Sequence, residues 1–326
     1  KEKGMAKNKA YMKEVQAELD VIDSEGYSDY FLIVQDYVTS ARARGENVGD
    51  GRGSGAGSKV VYLLDITRLE PSAFNLLFER FMAKGREPDI DMDFSNQDAV
   101  FKDLQAKYGE NSVARIVTFG TMTPKAVFRK VMGTFDHEQD LINYLSKQIP
   151  DKIEDLEVAL SVSKELSDAS HQYPLEFAVM MRLQNTISHE GQHAGGVVIY
   201  NNLSSYAPIK TIGDDRNARI CAFDMDTLHQ LHFFKFDILG LETVSIIRNT
   251  VNSIKKTTGK EVDLYSIDYD DENVYDMLCK GDVSGVFQLA NQTNKVIEQQ
   301  PRNFKDLIAI NALIRPGIGN WEEYIR

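Results

Sequence analysis

An α+β fold is what the sequence predicts, on three observations. Alternating strand patterns occur at 88–94, 112–119, 195–200, 219–223 and 232–240. Between the second and third of these, from about Phe135 to Ser188, the pattern is almost wholly helical and rich in charge. After Gly240 the chain turns helical again. A sheet that is interrupted by helices and completed later is an α+β arrangement.

Taken in order, residues 5–25 read as an amphipathic helix with Met5, Tyr11, Val15, Leu19 and Ile22 on one stripe. A second helix is expected from Ser28 to Arg44, with Ser28 as its N-cap. Glycines then alternate through Gly49, Gly51, Gly53, Gly55 and Gly57, and an apolar helix over Lys59–Leu64 follows. Leu76–Phe81 reads as a helix end or buried turn. The strand at 88–94 leads to a helix over 95–108, a second strand over Ser112–Phe119, and a basic helix reached through Gly120–Arg129. Beyond the insertion, strands are expected at Gly195–Tyr200, near Arg219–Phe223 and at His232–Gly240. Leu241–Thr257 and Asn303–Ile314 are the clearest later helices.

The chain has 326 residues, enough for two or three packing units at roughly 100–200 residues each. Hydrophobic residues make up 42% and charged residues 26%, ordinary for a soluble globular protein. No apolar run approaches the roughly 20 residues needed to cross a bilayer. Lys1–Met5 has no apolar core after its charges and does not read as a secretory signal. A first residue other than Met, and an end at Arg326 in a helix-rich stretch, read as a piece of a longer chain. The two cysteines, Cys221 and Cys279, stand in no metal-ligand or redox spacing, which fits a reducing cytoplasm. A net charge of −12 argues against a uniformly basic nucleic-acid binder. Local basic tracks remain: Arg115, Lys125, Arg129 and Lys130 in one segment, and Arg42, Arg44 and Arg52 in another.

The chemistry concentrates in Pro88-Asp89-Ile90-Asp91-Met92-Asp93-Phe94. Alternation puts Asp89, Asp91 and Asp93 on one strand face, about 7 Å apart, and Ile90, Met92 and Phe94 on the other. Aspartate is a poor strand former, and three carboxylates on one face repel, so that face needs cations. Hard divalent ions suit carboxylate oxygens, and such a pair can hold two metals about 4 Å apart for phosphoryl or nucleotidyl transfer. The same pattern also fits a solvated acidic strand end neutralised by nearby Lys and Arg.

A glycine-rich loop before a helix N-terminus presents free amides that suit phosphate, and Arg52 and Ser54 would add donors. It matches neither the Walker nor the dinucleotide fingerprint, and a flexible surface loop fits it as well. Arg80 lies in an apolar set, where it serves a site or pairs with Glu79 or a nearby aspartate. His193 sits in a glycine-rich turn before a strand, as a functional group or a satisfied buried side chain.

Five stretches together resemble the C-family replicative polymerases, the bacterial DNA polymerase III alpha subunits. They are Tyr30-Phe31-Leu32-Ile33-Val34, Gly51-Arg52-Gly53-Ser54, Leu77–Phe81 into Pro88–Asp91, Gly191–Gly196 and Lys235-Phe236-Asp237. Their order and approximate spacing match over nearly the whole chain. The resemblance implies a polymerase-beta-like nucleotidyltransferase palm in two parts, 1–119 and 191–240. It also implies an inserted helical thumb at 120–190 and the start of a helical fingers domain at 241–326. It carries the catalytic and metal-binding role to Asp89, Asp91 and Asp237, in agreement with the strand reading. Asp93 ranks as a supporting residue, because some members have asparagine there. The phosphates of the incoming nucleotide would fall to Arg52, Gly53 and Ser54, with Arg80, Lys235 and His193 as further phosphate or charge-balancing candidates. Gln192 replaces a lysine of the family pattern, Asp50 a proline, Lys59 an apolar residue, and Ala290-Asn291 a Glu-Ser pair. These departures read as those of a divergent, phage-encoded kind of member.

The implied reaction is template-directed DNA synthesis from deoxynucleoside triphosphates by two Mg²⁺ ions, or Mn²⁺ in their place. The implied partners are primer–template DNA, a sliding clamp and other replisome proteins reached through regions beyond this chain, and no membrane. Arg115, Lys125, Arg129 and Lys130 are the expected duplex-backbone contacts, unless that stretch is simply a solvated basic helix. A non-templated nucleotidyltransferase and a non-catalytic DNA-binding replication fragment are the alternative functions. The long insertion opposes the first, and the intact aspartates oppose the second.

Overall fold

The structure is a computed structural model that describes residues 7–151, 153–211 and 219–313. Met5 and Ile314, which the expected helices include, lie outside the described residues. Among the described residues six strands form one sheet: β1 (Asp91–Phe94), β2 (Val113–Thr121), β3 (Ile187–Ile199), β4 (Ile209–Lys210), β5 (Ile220–Cys221) and β6 (Lys235–Gly240). Their order is β1-β6-β3-β2-β5-β4, with many helices around them, so the mixed α+β class stands. The chain divides into two compact units, residues 1–100 with 239–326, and residues 101–238.

In the second unit β2 and β3 run antiparallel from Val113 opposite Ile199 to Thr121 opposite Ile187. β6 joins the other side of β3, with Gly196 opposite Asp237 and Val198 opposite Lys235. β3 begins at Ile187, well before the Gly195 start that the sequence suggests. Its first half exposes most of its side chains and therefore carries no apolar alternation. Backbone pairing with β2 holds it instead. Between β2 and β3 lie the helices Pro124–Thr134, Gln139–Lys147, Leu156–Val162, Lys164–Gln172 and Pro174–Leu183. Phe128, Met132, Leu156, Leu166, Phe177 and Met180 are among the side chains of their common core. The charge-rich stretch after Phe135 is thus helical as expected, up to Leu183.

In the first unit, the helix Lys9–Ser24 is capped by Asn8, whose side chain accepts from the Tyr11 amide. Tyr11, Val15 and Ile22 are buried, but Leu19 is 41% exposed and the fourth buried position is Glu18. Spacings of four, three and four make one helical stripe of 11, 15, 18 and 22, and position 19 is turned about 100° away. The next helix runs Ser28–Ala43 with Tyr27, not Ser28, at the cap position. Ser28 is already helical, and its hydroxyl turns back to Asp23. After residue 240 come the helices Glu242–Thr258, Glu272–Cys279, Thr293–Gln299 and Phe304–Leu313. Tyr275, Leu278, Val283, Leu289, Val296 and Ile310 form a small core among them.

Glu18 explains how the glycine-rich stretch ends. Its carboxylate accepts from the Ser58 hydroxyl at 2.7 Å and from the Lys59 and Val60 amides at 3.0 Å each. Those amides open the helix Lys59–Leu63, whose cap, Ser58, also accepts from Val61. A carboxylate at a helix N-terminus satisfies orphan donors and the dipole together. Burial nevertheless pushes the Glu18 carboxyl above its ordinary range, against the lowering effect of its hydrogen bonds.

A carboxyl whose pKa is higher in the folded chain binds more protons when folded. Its contribution to stability is full below the unfolded value, near 4.5, and is lost as pH rises through the folded value. Glu18→Gln removes this dependence. The melting temperature of the variant relative to wild type should therefore climb as pH rises above the unfolded value near 4.5. A difference between the two that does not change with pH contradicts the assignment.

Candidate active site

The acidic strand is anchored through its apolar side. Ile90, Met92 and Phe94 are fully buried. The Ile90 amide donates to the Tyr30 hydroxyl at 3.1 Å, and the Phe94 ring lies 5.9 Å from that of Tyr37. β1 begins only at Asp91, later than the strand expected over 88–94, so Asp89 precedes it. Exposure falls along this segment: Asp89 is exposed, Asp91 is half-buried and Asp93 is 8% exposed.

The glycine-rich loop is tied to the same strand by its backbone. Gly49 donates to the Asp93 carbonyl at 2.8 Å, Ser95 donates to Asn47, and Val48 bridges to Phe94. Beyond these bonds Gly53–Gly57 makes a short 3-10 turn that contains half-buried Ser54. Gly53 has a φ of +64°, and a Cβ there would lie 3.2 Å from Asp91 Oδ2. Only glycine gives both that backbone conformation and that close approach. Arg52, just before the turn, donates from Nη1 to Asp93 Oδ1 at 3.0 Å. Its guanidinium carbon lies 5.7 Å from the centre of the Phe287 ring.

Asp237, on β6, is 4% exposed. Lys235 Nζ lies 2.7 Å from Asp237 Oδ2, since residues two apart share a strand face. Gly196 stands opposite Asp237 in the ladder. His193 Nδ1 accepts from the Gly195 amide at 3.2 Å and the Gly196 amide at 2.6 Å. That pairing leaves Nε2 as the proton-bearing nitrogen of a neutral ring. A Cβ on Gly196 would lie 2.7 Å from His193 Nδ1, so residue 196 must stay glycine for the ring to sit there.

Asp89, Asp91 and Asp237 form a group able to hold a metal ion, one oxygen from each lying within 4.8 Å of the others. At that separation two carboxylate charges repel by about 3 kcal/mol at an effective dielectric near 20. The Lys235 ammonium offsets part of this. Three carboxylates with no sulfur or imidazole among them suit a hard divalent cation.

Other expected residues lie elsewhere. Arg80 is exposed at the end of the short turn Phe78–Arg80. Arg115 departs from its expected duplex-backbone role. It is 8% exposed on β2 and stacks over Phe101, its guanidinium carbon 4.4 Å from the ring centre. An inward-facing β2 position buries it beside an aromatic side chain. Lys125 pairs with Asp151 at 2.6 Å, and Arg129 Nε donates to Ser146. Arg129 and Lys130 face solvent. Two residues around the loop escaped sequence reading. Glu18 could have been found as the one charged residue on an otherwise apolar stripe, whereas Phe287 carries no local signal.

Residues 1–240 match the family model described as the bacterial DNA polymerase III alpha NTPase domain. Residues 243–326 match that of the bacterial DNA polymerase III alpha subunit finger domain. DNA polymerase III subunit alpha of Staphylococcus aureus is 37% identical over 317 residues, covering 94% of this chain and 30% of that protein. Its counterpart in Staphylococcus epidermidis is 38% identical over 320 residues, covering 95% of this chain and 30% of the relative. The chain thus spans about 30% of the length of these relatives. No helix among the described residues is long and apolar enough to cross a membrane.

The Lys235–Asp237 pair makes a direct prediction. Lys235→Met deprives a buried carboxylate of its ammonium and should cost roughly 1–3 kcal/mol in urea denaturation without metal. Adding Asp237→Asn should recover much of that loss. Equal stability of wild type and Lys235→Met would show that the pair contributes nothing.

Proposed function

The chain belongs to the bacterial DNA polymerase III alpha subunit family, and from that premise we propose that it forms the core of a template-directed DNA polymerase. The observation that carries this reading is the Asp89, Asp91 and Asp237 group, together with a glycine turn packed against Asp91. In the proposed division, residues 1–119 and 191–240 make a polymerase-beta-like palm. Residues 120–190 make the thumb, and 241–326 the start of the fingers. A cytoplasmic setting goes with this role.

In the reaction the primer 3′ hydroxyl oxygen forms a bond to the α-phosphorus of a deoxynucleoside triphosphate. The α–β bridging P–O bond breaks, pyrophosphate leaves with the electron pair, and the hydroxyl proton passes to solvent. Two divalent cations, Mg²⁺ or Mn²⁺, held by Asp89, Asp91 and Asp237 would activate the hydroxyl and neutralise the triphosphate charge. The chain's own groups bind and orient. Arg52 offers guanidinium donors, Gly53 its amide and Ser54 its hydroxyl to the phosphates. His193 presents Nε2–H as a neutral donor, and Lys235 balances charge beside Asp237. Arg80 remains a candidate for outer phosphate contact, being exposed. Arg129 and Lys130, with Lys125 once released from Asp151, would follow the duplex backbone. Sequence is read by base pairing, so these contacts need only recognise phosphate and shape. Primer–template DNA and deoxynucleoside triphosphates are the proposed substrates. A sliding clamp and replisome proteins would join through parts of the protein outside this chain.

Primer extension tests the reading. With a labelled primer, all four triphosphates and Mg²⁺, extension should require a template, follow its sequence and stop in EDTA. Asp91→Asn should lower it by about 10³-fold or more. Addition without a template would favour a non-templated transferase, and undiminished activity of Asp91→Asn would refute the aspartate assignment.

A further inference from the structure

Asp93 lies two residues beyond Asp91 on the same strand, yet the metal-competent group is Asp89, Asp91 and Asp237. Its partner is Arg52, and the two ends of that pair differ in exposure. The Asp93 side chain is 10% exposed and that of Arg52 is 37% exposed. The anchor is therefore inside, and the cation stands half out beside the turn Gly53–Gly57. The Asp93 backbone is itself fixed, because its carbonyl accepts from Gly49. A guanidinium has five N–H donors in a rigid fork, and the bond to Asp93 Oδ1 uses Nη1. The Phe287 ring also lies within cation–π range of it. Phe287 sits between Val283 and Leu289, both fixed in the small core of that region.

We propose that Asp93 and Phe287 are positioning residues for nucleotide binding. They hold the Arg52 guanidinium so that its remaining donors meet the triphosphate of the incoming nucleotide. This rests on the reading above that the glycine turn receives that triphosphate. The ion pair and the ring restrict a long side chain with many rotamers, so less freedom is lost when the phosphates arrive. The same pairing neutralises Asp93, so its charge does not add to that of the metal-binding three. Because Phe287 belongs to the segment matching the finger domain model, that segment acts on the nucleotide through Arg52.

The test is fluorescence titration of the full chain with a mant-labelled deoxyadenosine triphosphate, in Ca²⁺ to prevent turnover, beside a titration with primer–template DNA. Asp93→Ala and Arg52→Ala should each weaken nucleotide binding by about tenfold. The double variant should be no weaker than Arg52→Ala alone. Phe287→Ala should weaken binding by about threefold. Asp93→Asn keeps an acceptor oxygen for Arg52 and should recover part of the loss seen with alanine. DNA affinity should be unchanged throughout. Additive losses from Asp93→Ala and Arg52→Ala, tighter nucleotide binding by Asp93→Ala, or an equal loss of DNA affinity would overturn the proposal. If Arg52→Ala and Ser54→Ala leave wild-type nucleotide affinity intact, the phosphate-binding reading of the turn fails first, and the positioning role falls with it.

Discussion

Like charges can be held close together here because the segment 89–94, which carries two of them, is anchored by its apolar side chains. Ile90, Met92 and Phe94 are buried, and each contributes roughly 1.5–3 kcal/mol by burial. Together they outweigh the repulsion of about 3 kcal/mol between any one pair of these carboxylate charges at the observed separation. A register slip of one residue would put the aspartates inside and the apolar side chains in water, so the register admits no compromise. The Tyr30 hydroxyl on the Ile90 amide and the Tyr37 ring beside Phe94 reinforce the same register.

The disposition of the four aspartates follows from burial. Asp93 and Asp237 are buried, and each has a basic partner, Arg52 and Lys235 respectively. Asp91 is half-buried beside the glycine turn, and Asp89 faces solvent. A buried carboxylate without a counter-charge is costly, whereas an exposed one is stabilised by water. The lysine and a metal ion would thus serve the same electrostatic need at Asp237, with metal binding redistributing a neutralisation already present. The glycine turn adds the complementary surface: a backbone close to Asp91 and, at its start, a guanidinium held in place.

Much of this was legible in the sequence, because strand alternation and glycine spacing are local signals. The split of the 88–94 segment into an acidic and an apolar face follows directly from side-chain period. The strand carrying Asp237 and the helical insertion were also readable from pattern. What escaped reading depends on tertiary packing. The exposed first half of β3 is held by its ladder with β2, and nothing in Ser188, Glu190 or Gln192 announces a strand. Arg115 looked like part of a basic track until Phe101 covered it. Leu19 fitted an apolar stripe better than Glu18 did, but the amides opening the helix Lys59–Leu63 need a carboxylate at that position. Phe287 meets Arg52 only through the fold.

We propose that Asp89, Asp91 and Asp237 together form the divalent-cation site. Thermal melting of wild type and Asp237→Asn, each in EDTA and in excess Mg²⁺, decides this. A ligand that binds only the folded chain stabilises it by about 2.7 kcal/mol at one hundred times its dissociation constant. Mg²⁺ should raise the melting temperature of wild type and leave that of Asp237→Asn close to its value in EDTA. Equal shifts in the two proteins would place the bound metal away from these three aspartates.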